Sequence, residues 1–135
     1  TTAGWTVGAG DNLPYMGTVA ASQTGSTLVV PVDCLKVGDT ITSFKVVAQI
    51  ESASGAVTLD ADLRAITNVA AEPTDASIGA ITQVSVTADT AVASAKTGLT
   101  EVVAANKTYY VLLTATTAAA TDIILLGLTI TVTES

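Results

Sequence analysis

The sequence predicts an all-β domain, an antiparallel sandwich of the jelly-roll kind with about eight strands, and three observations predict it. Thr and Val recur along all 135 residues, and β-branched side chains lose rotamer freedom in helices while packing well on a pleated surface. Hydrophobic residues make up 49% of the chain and aromatic ones only 4%, so the core is built from Val, Ile, Leu and Ala in many thin layers. Apolar and polar residues alternate with period two over several stretches separated by Gly, Asn, Asp and Ser. A chain of this length buries one core, so residues 1–16 are read as an extended arm and 17–135 as a single sandwich domain.

The clearest alternation lies in residues 42–51, where Phe44, Val46, Ala48 and Ile50 share one face and Lys45, Gln49 and Glu51 the other. Residues 57–65 repeat it, with Val57, Leu59, Ala61, Leu63 and Ala65 inward and Thr58, Asp60, Asp62 and Arg64 outward. Ser52-Ala53-Ser54-Gly55 between them reads as a turn, which makes the two strands a hairpin with a loop of about four residues. Further on, Tyr109, Val111, Leu113 and Ala115 share one parity and Tyr110, Leu112 and Thr114 the other. Both faces are apolar there, the mark of a central strand or of contact with a second subunit.

The last run, 122–134, sets Ile124, Leu126, Leu128, Ile130 and Val132 against Thr129, Thr131 and Thr133, with Gly127 as the place for a bulge or a close backbone approach. Shorter strands are expected at 15–20, 26–32, 80–88 and 99–103. The Ala-rich stretches 88–96 and 114–121 favour helix intrinsically, but their Thr content favours loop or strand. Residues 69–79, with Glu72-Pro73-Thr74-Asp75, read as the longest loop.

Charge and chemistry exclude several function classes. The net charge is −7, and the five basic residues (Lys36, Lys45, Arg64, Lys96, Lys107) are scattered, whereas phosphate backbones and anionic membranes are bound by clustered cations. Neither nucleic acid nor membrane is expected as a partner. The longest apolar run, 123–128, is far short of the roughly 20 residues of a spanning helix, and no signal peptide is expected at the start. There is no His to serve as the base of a hydrolytic triad or as a zinc ligand, and the single Cys34 makes neither a disulfide nor a multi-Cys metal site. Its apolar surroundings predict a buried, inert thiol. The sequence therefore points to no catalytic residue, no metal and no cofactor.

Weaker signals read as structure. Asp60 and Asp62 stand two apart on one strand face with Arg64 after them, which fits a solvated face with an internal ion pair. Gly8-Ala9-Gly10-Asp11-Asn12 and Asp39-Thr40 lack the ligand count of a calcium loop and read as turns. Asn106-Lys107-Thr108 matches the glycosylation sequon. Trp5 and Tyr15 lie in the arm, and three uses of them stay open: packing on their own domain, anchoring the arm on a neighbouring subunit, or stacking on a sugar.

The run 28–46, in which Pro31 leads through Val37-Gly38-Asp39 into a long strand, resembles a pattern of virion domains of tailed bacteriophages. So do the strand at 57–64, the stretch Asn106-Lys107-Thr108-Tyr109-Tyr110-Val111 and the closing Gly127-Leu128-Thr129-Ile130-Thr131-Val132. Such β-sandwiches occur in head decoration (cement) proteins and in tail or fibre proteins, often as trimers. The resemblance implies a non-enzymatic structural protein on a capsid or tail surface, a homotrimer that bridges neighbouring subunits of a major capsid or tail protein. Subunit contacts are then expected at Trp5, Tyr15 and Met16 in the arm and at Tyr110 and Leu112 on the second apolar face. Two rival readings are a receptor- or carbohydrate-binding module and a subunit of an extracellular filament or surface layer.

Overall fold

A computed structural model describes residues 5–7, 17–19, 22–52, 55–118 and 121–135, with the backbone alone described for 5–7, 17–19 and 121. The described residues form ten strands and no helix. In chain order these are β1 (Trp5–Val7), β2 (Gly17–Val19), β3 (Ser26–Val32), β4 (Thr40–Ser52), β5 (Val57–Thr67), β6 (Thr74–Ala80), β7 (Val84–Val86), β8 (Thr90–Val102), β9 (Lys107–Thr116) and β10 (Thr121–Thr133).

All pairings are antiparallel and fall into two sheets, β1-β2-β10-β4-β8 and β3-β9-β5-β6, with β7 also on β5. β6 and β7 follow one another along the same edge of β5, the first against Asp62–Thr67 and the second against Val57–Leu59, and the Ile81 amide donates to the Ala61 carbonyl between them. They fill one strand position, which leaves eight positions and the short extra strand β1. The pairs β5/β6, β4/β8, β3/β9 and β2/β10 are nested one inside the next. This is one long hairpin rolled over on itself, so that β4 comes to lie between β8 and β10, and β9 between β3 and β5. The result is a jelly roll, as the sequence predicts.

The core lies between the sheets and is aliphatic apart from Phe44 and Tyr109. The inward set of β5 (Val57, Leu59, Ala61, Leu63, Ala65) is buried, as is that of β4 (Ile41, Phe44, Val46, Ala48, Ile50). On β9 the inward set is Tyr109, Val111, Leu113 and Ala115, and the strand is central to its sheet. Alternation on β4, β5 and β9 therefore names their inward faces correctly, and burial of these faces is the main force holding the sheets together.

Four expectations need correction. β4 and β5 are not a hairpin: they belong to opposite sheets, and the connection between them is a corner at one end of the sandwich. Gly55 takes φ +84° there, and a Cβ on it would come 2.7 Å from the Ala118 Cβ, so the corner needs a glycine. The Ser52 amide donates to Asp89 Oδ1 at 2.8 Å and its hydroxyl to the Gly55 carbonyl at 3.1 Å, fixing the corner's entry.

The second correction concerns the stretch read as the longest loop. Only 68–73 is irregular, and Thr74–Ala80 is the edge strand β6. Most of β6 is exposed on both faces, so no alternation marks it in the sequence. The third concerns β10, whose apolar residues do not share a single parity. Leu126 has no partner in the ladder between Leu125↔Ala48 and Gly127↔Val47, a bulge at the place expected of Gly127. It switches the inward set from Ile123 and Leu125 to Leu128, Ile130 and Val132, and it leaves Leu126 on the surface.

The fourth is Cys34, which is exposed and not buried. β3 ends at Val32, and residues 33–36 have no strand partner to carry their side chains inward.

The Ala-rich stretch at 88–96 continues into β8 as strand. The Asp39-Thr40 turn is built by Gly38 at φ +99° and by an Asp39 carboxylate that accepts from the Ser135 amide at 3.2 Å. The glycine-rich turn at 8–12 lies outside the described residues.

Candidate interaction face

β9 carries an unusual outward face. A central strand of a sandwich buries one face, and its other face is ordinarily polar. On β9 the outward parity instead presents Tyr110 and Leu112, both half-buried. The antiparallel register sets Val29 of β3 beside Leu112 and Pro31 beside Tyr110. Val29 is 53% exposed and Pro31 is exposed too, so four apolar side chains from two adjacent strands form one strip that points away from the core. Pro31 sits where it can, on an edge strand, because it has no N–H to give to a further neighbour.

The other flank of the strip is charged. Leu112 lies opposite Asp62 and Tyr110 opposite Arg64 on β5. The Arg64 guanidinium reaches Asp62 Oδ2 at 2.6 Å through Nη1 and Asp75 Oδ2 at 3.1 Å through Nη2. Its Nε donates to the Tyr110 hydroxyl at 3.2 Å. Ser77 donates to Asp62, and Gln83 Nε2 donates to Asp60 Oδ2 at 2.7 Å. Hydrogen bonds from Arg64, and next from Tyr110, hold the Asp75 carboxyl below the usual aspartate range. Those to Asp75 and Asp62 hold Arg64 above its own. Desolvation, and then the bond to Asp75, push the Tyr110 phenol up. Asp60, Asp62 and Arg64 thus form the partnered strand face expected of them, extended by Asp75 from β6.

A second polar cluster joins the two sheets at one end of the sandwich. Lys107 Nζ meets Glu101 Oε1 at 2.6 Å, and the buried Tyr109 hydroxyl donates to the same oxygen at 3.1 Å while accepting from the Ala104 amide at 3.1 Å. Burial first, and the neighbouring carboxylate after it, raise the Tyr109 phenol. The hydrogen bond to Glu101 raises Lys107. Beside this cluster an open cleft of about 420 Å³ runs between β6 and β8, lined by Ser77, Ile78, Lys96, Leu99, Glu101 and Lys107 among others. Among the described residues, no group of three or more Cys, Asp or Glu side chains is placed to hold a metal ion.

The expected contact residues separate into two places. Tyr110 and Leu112 come together in the second sheet. Trp5 lies in β1, opposite Val19 at the far edge of the first sheet, and Tyr15 and Met16 fall outside the described residues. Val29 and Pro31 complete the strip and were open to the same reading, since they alternate with Leu28 and Val30 along 26–32. Asn106 of the sequon is exposed in the turn between β8 and β9.

Fold and face together define a jelly-roll sandwich with an outward apolar strip bordered by a closed ionic network. No protein-family model matches the chain, and none of the curated proteins matches it.

Proposed function

We propose that this chain is a non-enzymatic structural protein of a virion, a capsid decoration domain that bridges neighbouring shell subunits through the outer face of β3 and β9. The observation that carries this reading is the strip Val29, Pro31, Tyr110 and Leu112, apolar and turned outward on the central strand β9 and its edge neighbour β3. Such a strip gains free energy when a partner covers it, and Tyr is a frequent anchor in interfaces. The fold supports the reading, since jelly rolls recur in viral shell proteins, though lectin domains share it. The ionic border suits the rim of an interface, where charged groups stay hydrated and set orientation more than affinity.

Co-sedimentation with isolated capsids of tailed bacteriophages tests the proposal. Binding that Tyr110→Ala and Leu112→Ala each weaken by about tenfold supports it. Wild-type protein that remains in the supernatant across such capsids overturns it.

The cleft between β6 and β8 favours a second reading, a carbohydrate-binding module, because its lining offers Thr100, Ser77, Glu101 and Lys107 to sugar hydroxyls. Binding on a glycan array that Lys96→Ala abolishes would select this reading, and a blank array at high protein concentration would remove it.

A further inference from the structure

We infer that the free edge of β8 is a self-association edge, which pairs antiparallel with β8 of a second copy across a two-fold axis at Ala93. β8 ends the first sheet, hydrogen-bonded to β4 on one side and to no described strand on the other, while β6 and β7 of the second sheet pack against it and the Ser94 hydroxyl donates to the Thr82 carbonyl at 3.4 Å. It is thirteen residues long, and Thr90, Ala91, Ala93, Ala95, Lys96 and Thr97 are all exposed. An edge of this length presents a row of unpaired amides and carbonyls, which folded proteins usually blunt with short strands, proline, inward-pointing charge or bulges. The other edges are blunted in this way. β1 and β7 have three residues each, β3 carries Pro31, and the β6 ladder to β5 is bulged between Leu63 and Arg64.

On β8 the guards stand only at one end. Lys96 lies opposite the buried Phe44 and so belongs to the inward parity, and the ladder to β4 breaks between Ile41 and Ser43, where Gly98 takes φ +70°. Residues 90–95 before them contain neither proline nor charge, and they keep an unbroken register with β4 from Ile50↔Thr90 to Lys45↔Ala95.

The occupant is a second copy because the edge is complementary to itself. Opposite residues in an antiparallel pair share a face, so a two-fold at Ala93 sets Ala93 against Ala93 and Ala91 against Ala95, small against small. On the inward parity it sets Val92 against Ser94 and Thr90 against Lys96, so no like charges meet. With twelve acidic residues against five basic ones, two copies repel over most of their surface. From Thr90 to Thr100 there is no carboxylate, and here the repulsion is least. A single strand pair buries less than the roughly 1,200 Å² of stable interfaces, so the dimer is concentration-dependent. The pairing does not rest on the virion reading, and its two-fold symmetry differs from the trimer implied by the resemblance to phage domains.

Light scattering on size-exclusion fractions at about 5 and about 500 µM tests it, together with cysteine cross-linking in a Cys34→Ser background. Twice the monomer mass at the higher concentration is expected. Ala93→Lys, whose side chain points to solvent, should weaken association at least about tenfold while leaving the circular dichroism spectrum unchanged. Ala93→Cys should form a disulfide-linked dimer under mild oxidation, whereas Val69→Cys, exposed on the 68–73 loop, should not. A monomer at both concentrations, three times the monomer mass, an Ala93→Lys protein that associates as wild type, or equal cross-linking at the two cysteines would each overturn the inference. None of these outcomes bears on capsid binding through Tyr110 and Leu112, which lie in the other sheet.

Discussion

Arg64 and Tyr110 face each other across the β5/β9 ladder, and the guanidinium Nε lies 3.2 Å from the phenolic oxygen. This contact ties the apolar strip to the ionic network, because the same guanidinium holds Asp62 and Asp75. Arg64→Met should lower unfolding stability by about 1 kcal/mol in urea titrations, the upper end for a partly exposed ion pair, and the difference should shrink in 1 M salt. The acid side gives a second readout. The Asp75 carboxyl is held low in the folded state, so its contribution is present above the ordinary aspartate range and lost as pH falls through the folded value. In Arg64→Met this acid-dependent loss should become smaller, and an unchanged acid titration would show that Arg64 does not set it.

Leu112 and Leu113 are neighbours in sequence with opposite duties. Leu113 is fully buried, and Leu113→Ala should cost about 2–5 kcal/mol by loss of transfer energy plus the cavity left behind. Leu112→Ala, on the outward strip, should cost about 1 kcal/mol or less and act instead on binding. Equal destabilisation of the two variants in thermal melts would mean that the strip is part of the fold's own core.

The bulge in β10 makes a deletion test possible. Removing Leu126 joins Leu125↔Ala48 directly to Gly127↔Val47 and leaves both inward sets where they are. That variant should fold with native-like dichroism. Removing Thr129 instead shifts Leu128 and Ile130 to opposite parities relative to β4, and this variant should fail to fold. A folded Thr129 deletion would refute the register described for β10.

Stability should fall at alkaline pH for a reason specific to Tyr109. Its folded phenol and the Lys107 ammonium are both raised. Groups raised in the folded state contribute fully below their unfolded values, about 10 to 10.5, and the contribution is lost as pH rises through the folded values. Urea midpoints at pH 8, 9 and 11 should therefore be flat and then drop. In Tyr109→Phe the drop should be shallower, against a baseline already lowered by loss of the bonds to Ala104 and Glu101.

These strands show what period two can and cannot convey. Alternation on 42–51, 57–65 and 109–115 gave the buried faces correctly, because burial acts on each residue where it stands. It says nothing about partners, and so β4 and β5 look like a hairpin although they face each other across the core. β6 is hidden because an edge strand with both faces exposed has no contrast to display. At the interaction face, Tyr110 and Leu112 were legible as apolar residues on the wrong parity for burial. The Arg64–Asp75 contact was not, since it joins β5 to a strand that the sequence does not reveal.

The nesting of the strand pairs also sets an order of events during synthesis. β4 exposes Phe44, Val46, Ala48 and Ile50 on one face, yet both of its hydrogen-bonding neighbours, β8 and β10, are made later, the second only at Thr121–Thr133. At the usual pace of about 5–20 residues per second, a nascent β4 waits seconds with both edges open. Of the nested pairs only β5 with β6 can zip locally, and each outer pair closes a longer loop than the one inside it. Slow folding and a need for protection on the ribosome are thus written into the roll itself, ahead of any role the finished domain performs.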